Sequence, residues 1–236
     1  NALHLSTDDY FVGDARNPRH PDGTFDYETI EAVDSARLAK DVNALLAGEE
    51  VHLRRFDFIN HEGFDSEGTT TMPENGYIVL EGIHALNPLL TKQIPDSSKY
   101  RIYISALTSI SLDDHNWIPT QDNRLLRRII RDYNKGAFSA RETISQWKSV
   151  CEAEDQWIFP FQETADVMFN SALNIEFAVL RTHAELILSS VPKNCAEYAE
   201  AHRLLKFLRY FIPISDKEIP PTSIMREFVG GSSFKY

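Results

Sequence analysis

Nothing in this 236-residue sequence approaches the roughly 18 consecutive apolar residues that a membrane-crossing helix needs, and no signal-peptide pattern opens it. A membrane partner is therefore not expected. Cysteine is scarce as well: Cys151 and Cys195 are the only two, and they lack metal-ligand spacing, so the expectation is reduced thiols in a cytoplasmic protein. Positive charge is short, with 24 Lys and Arg against 35 Asp and Glu and a formal net charge of −11, which argues against a nucleic-acid partner. Any phosphate site must be local. No internal repeat is present, and a 42% hydrophobic content is ample for one sizeable α/β domain with an appended piece.

The most informative stretch is Tyr77-Ile-Val-Leu-Glu-Gly-Ile-His-Ala-Leu-Asn87. Its apolar start suits a strand buried on both faces, and Gly82 allows a tight exit from the sheet. Glu81 then sits at the carboxyl end of a strand, the edge where open α/β sheets bind ligands and where a carboxylate can hold Mg²⁺ directly or through water. An incidental capping acid at a strand end is the alternative. Leu3 to Ser6 reads as another strand, delivering Asp8 and Asp9 onto a loop. Val12 to Asp26, with two prolines and Asp22-Gly23, reads as loop.

Asp34 is placed to cap a helix whose Leu38, Val42, Leu45 and Leu46 share a face, with Gly48 as its stop. Val51 to Ile59 alternates like a strand, and Asn60 to Asn75 suggests a hairpin or loop. Further on, Tyr100 to Ile104 is a strand and Asp122 caps a helix to about Asp132. Ser139-Ala-Arg-Glu142 is a capping box, Ala165 to Asn170 a last strand, and helices follow at Ile175 to Val191 and Ala196 to Phe211. Alternating strands and helices predict a parallel sheet covered by helices. Arg124, Arg127, Arg128 and Arg131 recur at helical spacing, as a phosphate-binding face or as a face paired with acids such as Asp122 and Asp132.

Taken together, Ser6-Thr-Asp-Asp-Tyr-Phe11, Phe25-Asp26, Phe56-Asp-Phe58 with His61, Val79-Leu-Glu-Gly-Ile83 and Asp122-Asn-Arg-Leu-Leu-Arg-Arg-Ile-Ile-Arg-Asp132 resemble the uridine kinase/phosphoribulokinase family of P-loop kinases. Ile158 to Asp166, Phe169 to Leu173 and Arg226 to Phe234 are similar to its larger bacterial members. The resemblance implies a three-layer α/β/α parallel sheet and an α-helical C-terminal extension, with a kinase-like domain over 3–191 and the extension over 192–236. It also implies ATP and Mg²⁺ as cofactors and a uridine- or cytidine-like nucleoside as substrate. Asp8 matches the general base that takes the 5′-hydroxyl proton, and Asp9 is the weaker candidate. Glu81 matches the metal-side acid that ends the Walker B strand. Phe25, Asp26, Phe56 and His61 match the nucleoside-lining positions, and Arg124 and Arg128 match the arginines that open the lid helix.

The sequence departs from the family where phosphates are held. No G-x-x-x-x-G-K-[ST] run occurs in the 236 residues, so the chain is expected to lack the strand and P-loop that cradle the triphosphate. Gly136-Ala137, Cys151-Glu-Ala153 and Trp117 stand where arginine-bearing motifs are expected, and Phe56 replaces a common tyrosine. Two readings follow: a nucleoside kinase that is active only when a P-loop is supplied, or a catalytically inactive nucleoside-binding or regulatory module. A central strand missing from the sheet would leave backbone edges unpaired, which predicts an added segment, direct pairing of the flanking strands, or a homo-oligomer by strand exchange.

Overall fold

The computed structural model describes residues 1–234; Lys235 and Tyr236 lie outside the described residues. Two compact units emerge, one made of Asn1–Tyr103 and Val150–Val167, the other of Ile104–Ser149 and Met168 onward.

In the first unit, β1 (Ala2–Ser6) pairs in parallel with β4 (Tyr77–Glu81), in a register that sets Leu5 opposite Leu80 and Ser6 opposite Glu81. A hairpin of β2 (Arg54–Asp57) and β3 (Glu62–Asp65) matches the alternation predicted there. Helix α1 (Ser35–Leu46) starts where Asp34 accepts a hydrogen bond from the Arg37 amide at 3.0 Å, as its cap position predicts. Leu38, Val42 and Leu45 from its apolar stripe are buried with Leu5, Tyr10, Val51 and Leu53, whereas Leu46 remains 43% exposed, so the stripe is narrower than expected. Beneath it, Asp41 ties Tyr10 to Arg37, accepting from the Tyr10 hydroxyl at 3.2 Å and from Arg37 Nε at 2.8 Å. A short helix, α2 (Pro88–Thr91), is capped by the Asn87 side chain.

In the second unit, α3 (Thr120–Asn134), part of α4 (Ala140–Trp157), α5 (Glu176–Ser189), α6 (Tyr198–Leu208) and α7 (Arg226–Val229) supply the core, led by Leu125, Leu126, Ile129, Phe177, Leu180 and Leu204. The capping box forms as expected: the Ser139 amide donates to Glu142 at 2.8 Å, and the Glu142 amide to the Ser139 hydroxyl at 3.3 Å. Asp122 is not the cap of α3. That position belongs to Pro119, and the Asp122 carboxylate is instead taken by both Arg203 amino groups at 2.7 and 2.8 Å.

The remaining strands, β5 (Ile102–Ser105) and β6 (Val167–Asn170), form a two-stranded sheet. Amides 166 and 167 donate to carbonyl 101 and amide 171 to carbonyl 105, so both strands run the same way. All four predicted parallel strands are thus present, but not as one continuous sheet: among the described residues there are three two-stranded sheets, with β4 bonded only to β1 and β5 only to β6. Among those residues, direct pairing of β4 with β5 does not occur. The expectation that β4 is buried on both faces also fails. Ile78 and Leu80 pack on the core of the first unit, while Tyr77 and Val79 point the other way and are 61% and 42% exposed.

Candidate functional site

The site is built on the parallel register of β1 and β4. Because Ser6 lies opposite Glu81, both chains leave the sheet at the same edge, and the turn Thr7–Tyr10 carries Asp8 and Asp9 past the end of β4. Gly82 makes this possible. Its φ of +142° suits only glycine, and a Cβ there would come within 1.8 Å of the Thr7 hydroxyl. The first turn is fixed by the Ser6 hydroxyl, which accepts from the Asp8 amide at 3.4 Å.

Asp8 keeps a solvent-exposed face, yet its carboxyl is pushed above the usual aspartate range, first by the surrounding protein's exclusion of water, then by the negative charges of Glu81 and Asp9; a hydrogen bond from Thr7 opposes the shift. Two acids are therefore crowded at one strand edge, and no described arginine or lysine forms an ion pair with either. Glu81 has His4 nearby, at 3.6 Å between two exposed side chains. Asp9 is otherwise employed: it accepts from Arg55 at 2.8 Å and from the Phe56 amide at 3.3 Å, tying the β2 strand to the Thr7–Tyr10 turn. Among the described residues no group of three or more His, Cys, Asp or Glu side chains could hold a metal ion. Two carboxylates still fit Mg²⁺, which keeps several waters and takes one or two protein carboxylates alongside its phosphate ligands.

Phe25, Asp26, Phe56 and His61 all belong to the first unit, and the structure joins three of them through one aromatic group. Phe56, 7% exposed, meets Phe11 edge-on at 5.6 Å and Phe58 at 5.2 Å. Phe11 continues to Tyr27, which packs on Phe25 at 5.7 Å and stacks on His61 at 6.0 Å. Tyr27 donates its hydroxyl to Asp14 at 2.7 Å and lies 3.0 Å from His61 Nδ1, and burial and the Asp14 bond push the phenol up to about 12. Arg19 covers the outer face of Phe25 at 3.8 Å. Asp26 accepts from the Glu28 amide at 3.0 Å, with His20 3.9 Å away.

Tyr27, Asp14 and Arg19 are absent from the residues picked out by sequence, and Phe11 and Phe58 enter there only as members of the quoted motifs, without a site role. Tyr27 adjoins Asp26, which was the available signal for it; the Asp14 and Arg19 contacts depend on how the loop folds back.

The arginines of α3 lie in the second unit and do not act as one face. Arg127 is buried and paired with Glu176, Arg128 is 3.5 Å from Asp132, Arg131 is 3.3 Å from the same acid, and Arg124 lies over the Trp147 ring at 5.9 Å. Arg124, Arg128 and Arg131 are part-exposed, whereas Arg127 is buried.

A family model described as the phosphoribulokinase/uridine kinase family matches residues 6–176. Uridine kinase from Macrococcus caseolyticus (strain JCSC5402) is 27% identical over 143 residues, which make up 60% of this chain and 61% of the relative. Uridine-cytidine kinase 2-B from Danio rerio is 24% identical over 147 residues, 62% of this chain and 49% of the relative. Uridine kinase from Staphylococcus aureus (strain Newman) is 26% identical over 175 residues, 71% of this chain and 73% of the relative. The chain thus spans between half and three quarters of the length of these proteins. Since the matched stretch contains the two strand-end acids, the aromatic group and the α3 arginines, the chain belongs to the phosphoribulokinase/uridine kinase family.

Proposed function

We propose that this chain carries the acceptor side of an ATP-dependent kinase site that phosphorylates the 5′-hydroxyl of a uridine- or cytidine-like nucleoside in the cytoplasm. The observation that carries the reading is the placement of Asp8 and Glu81 at the ends of adjacent parallel strands, with Asp9 tying Phe56 and its aromatic group to the same turn. Asp8 accepts the hydroxyl proton; a carboxylate whose proton affinity is raised is better suited to that task than an ordinary one. Glu81 is the metal-side ligand, directly or through water, and Mg²⁺ when bound supplies charge neutralisation for the phosphates. Phe25 and Phe56 flank the base, Asp26 and His61 hold its polar groups or the ribose, and Arg124 and Arg128 are the phosphate-directed cations of α3. The uridine kinases and the uridine-cytidine kinase among the relatives support the substrate class.

The residues present do not supply a cradle for the triphosphate, because no G-x-x-x-x-G-K-[ST] run is among them. Together with Trp117, Gly136-Ala137 and Cys151-Glu-Ala153, this favours a second reading, a catalytically inactive nucleoside-binding or regulatory module. A transfer assay on a form carrying such a run separates the two. With ATP, Mg²⁺ and uridine, the expected product is uridine 5′-monophosphate. Its formation should fall on the acid side through a pKa above the ordinary aspartate range, because Asp8 works only when ionised and its carboxyl is raised. Glu81→Gln removes one of the charges responsible, so any residual activity should show that acid limb at lower pH. No product at any pH would favour the inactive module.

A further inference from the structure

His61 closes the turn between β2 and β3, which Asp57 pins by accepting from the Ile59 and Asn60 amides at 2.8 and 3.1 Å. Its φ of +53° is a left-handed conformation that few residues other than glycine adopt, histidine being among the more tolerant. The turn that starts at Gly13 comes up against this backbone. Gly13 has a φ of +78°, and a Cβ there would lie 3.0 Å from the His61 carbonyl. Its own carbonyl accepts from the Arg16 and Asn17 amides at 3.0 Å. Asp14 is thereby delivered beside the imidazole: its carboxylate lies 3.6 Å from Nδ1, and both side chains are 43% exposed, open to a ligand.

The Tyr27 hydroxyl bridges the two, 2.7 Å from Asp14 and 3.0 Å from His61 Nδ1. A phenol has one hydrogen to give, and burial and the Asp14 bond keep it on the oxygen at neutral pH. A carboxylate offers acceptor atoms only, so that hydrogen goes to Asp14, and toward the imidazole the phenol oxygen can only accept. The hydrogen of the neutral His61 ring must then sit on Nδ1, which leaves Nε2 as an acceptor. The negative charge of Asp14 beside Nδ1 acts in the same direction. Nε2 itself makes no hydrogen bond among the described residues.

We infer that Asp14 and Tyr27 are positioning residues that fix His61 in its Nδ1–H tautomer, so that Nε2 accepts a hydrogen from the base edge of the bound nucleoside: the N3–H of a uracil or the 4-amino group of a cytosine. This deepens the nucleoside-site reading above and rests on it. The requirement falls on the base because His61 stacks on Tyr27 in the same aromatic group as Phe25 and Phe56, the surface that reading gives to the pyrimidine ring. A base without an N–H on that edge cannot make the bond.

The ring ¹⁵N shifts of His61 in the ligand-free 236-residue chain report which nitrogen carries the hydrogen, in mildly alkaline buffer where an ordinary imidazole is neutral. Wild type should show the Nδ1–H form. Asp14→Ala frees the phenol hydrogen to turn toward Nδ1 and should show mainly the Nε2–H form; Asp14 is part-exposed, so the fold should persist. Titrations with uridine and with 3-methyluridine, whose base has no N–H, read the consequence. Asp14→Ala should raise the uridine Kd about tenfold and leave that of 3-methyluridine within about twofold. A wild-type ring in the Nε2–H form, a tautomer unmoved by Asp14→Ala, or equal weakening of both ligands overturns the inference. Absence of uridine binding in the wild type overturns the nucleoside-site reading and the base-edge role with it, while the ligand-free ring spectrum still decides the tautomer.

Discussion

In a form of the protein that carries a phosphate-binding run, Asp8→Asn lowers turnover by about 10²- to 10⁴-fold, the span that a positioned general base contributes. Uridine affinity should change little, because proton acceptance is needed only as the hydroxyl attacks, and an interaction made in the transition state alone appears in kcat and not in binding. The geometry supports the choice of this acid over its neighbour. Asp9 is already bonded to Arg55 and the Phe56 amide, so Asp9→Asn should loosen the β2 hairpin and affect binding and turnover together. Asp8 makes no such structural contact among the described residues beyond its own turn, and its proton affinity is raised by burial and by Glu81 and Asp9. Steady-state kinetics of the Asp8→Asn variant check this; turnover comparable to wild type removes Asp8 from the mechanism.

The second large effect concerns stability. Arg127→Met should destabilise the second unit by about 3–5 kcal/mol, because Glu176, fully buried, then remains as an uncompensated charge. The wild-type arginine satisfies several groups at once: its Nη2 donates to Glu176 at 2.7 Å and to the Ser171 carbonyl at 2.8 Å, its Nη1 to the Ser171 hydroxyl at 3.1 Å, and its guanidinium lies over Phe228 at 4.9 Å. Glu176 also accepts from the Leu173 amide at 3.1 Å, so the pair fixes the chain between β6 and α5 onto α3. Denaturant unfolding of the single variant and of Arg127→Met/Glu176→Leu provides the check. The double variant should recover most of the loss, since removing both charges leaves no orphan. A single variant as stable as wild type would contradict a structural role for this pair.

These two cases show what could be read from the sequence. Asp34, Gly48 and the Ser139/Glu142 box act within a few residues, so their helices appear where local chemistry puts them. Asp8 and Glu81 were legible because both close apolar strand runs, and parallel strands deliver their ends to one edge. Arg127 was not separable from Arg124 and Arg128. Periodicity places all three near one helix face, and the acid that buries one of them lies 49 residues away. Asp122 was misassigned for the same reason, its partner Arg203 being 81 residues distant. The exposure of Tyr77 and Val79 was hidden too, because an apolar strand reads alike whether one or both faces are covered.

The central claim, that a nucleoside occupies the loop beside the Asp8–Glu81 edge, is tested most directly by titrating uridine into the ¹⁵N-labelled 236-residue chain and mapping the amide shifts. The account predicts saturable changes concentrated at Phe25, Asp26, Tyr27, Phe56 and His61, weakened by Asp26→Ala. Changes confined to other regions, such as the cavity of about 400 Å³ lined by Trp117, Asp122, Arg203 and Tyr210, or no changes at millimolar uridine, would contradict it.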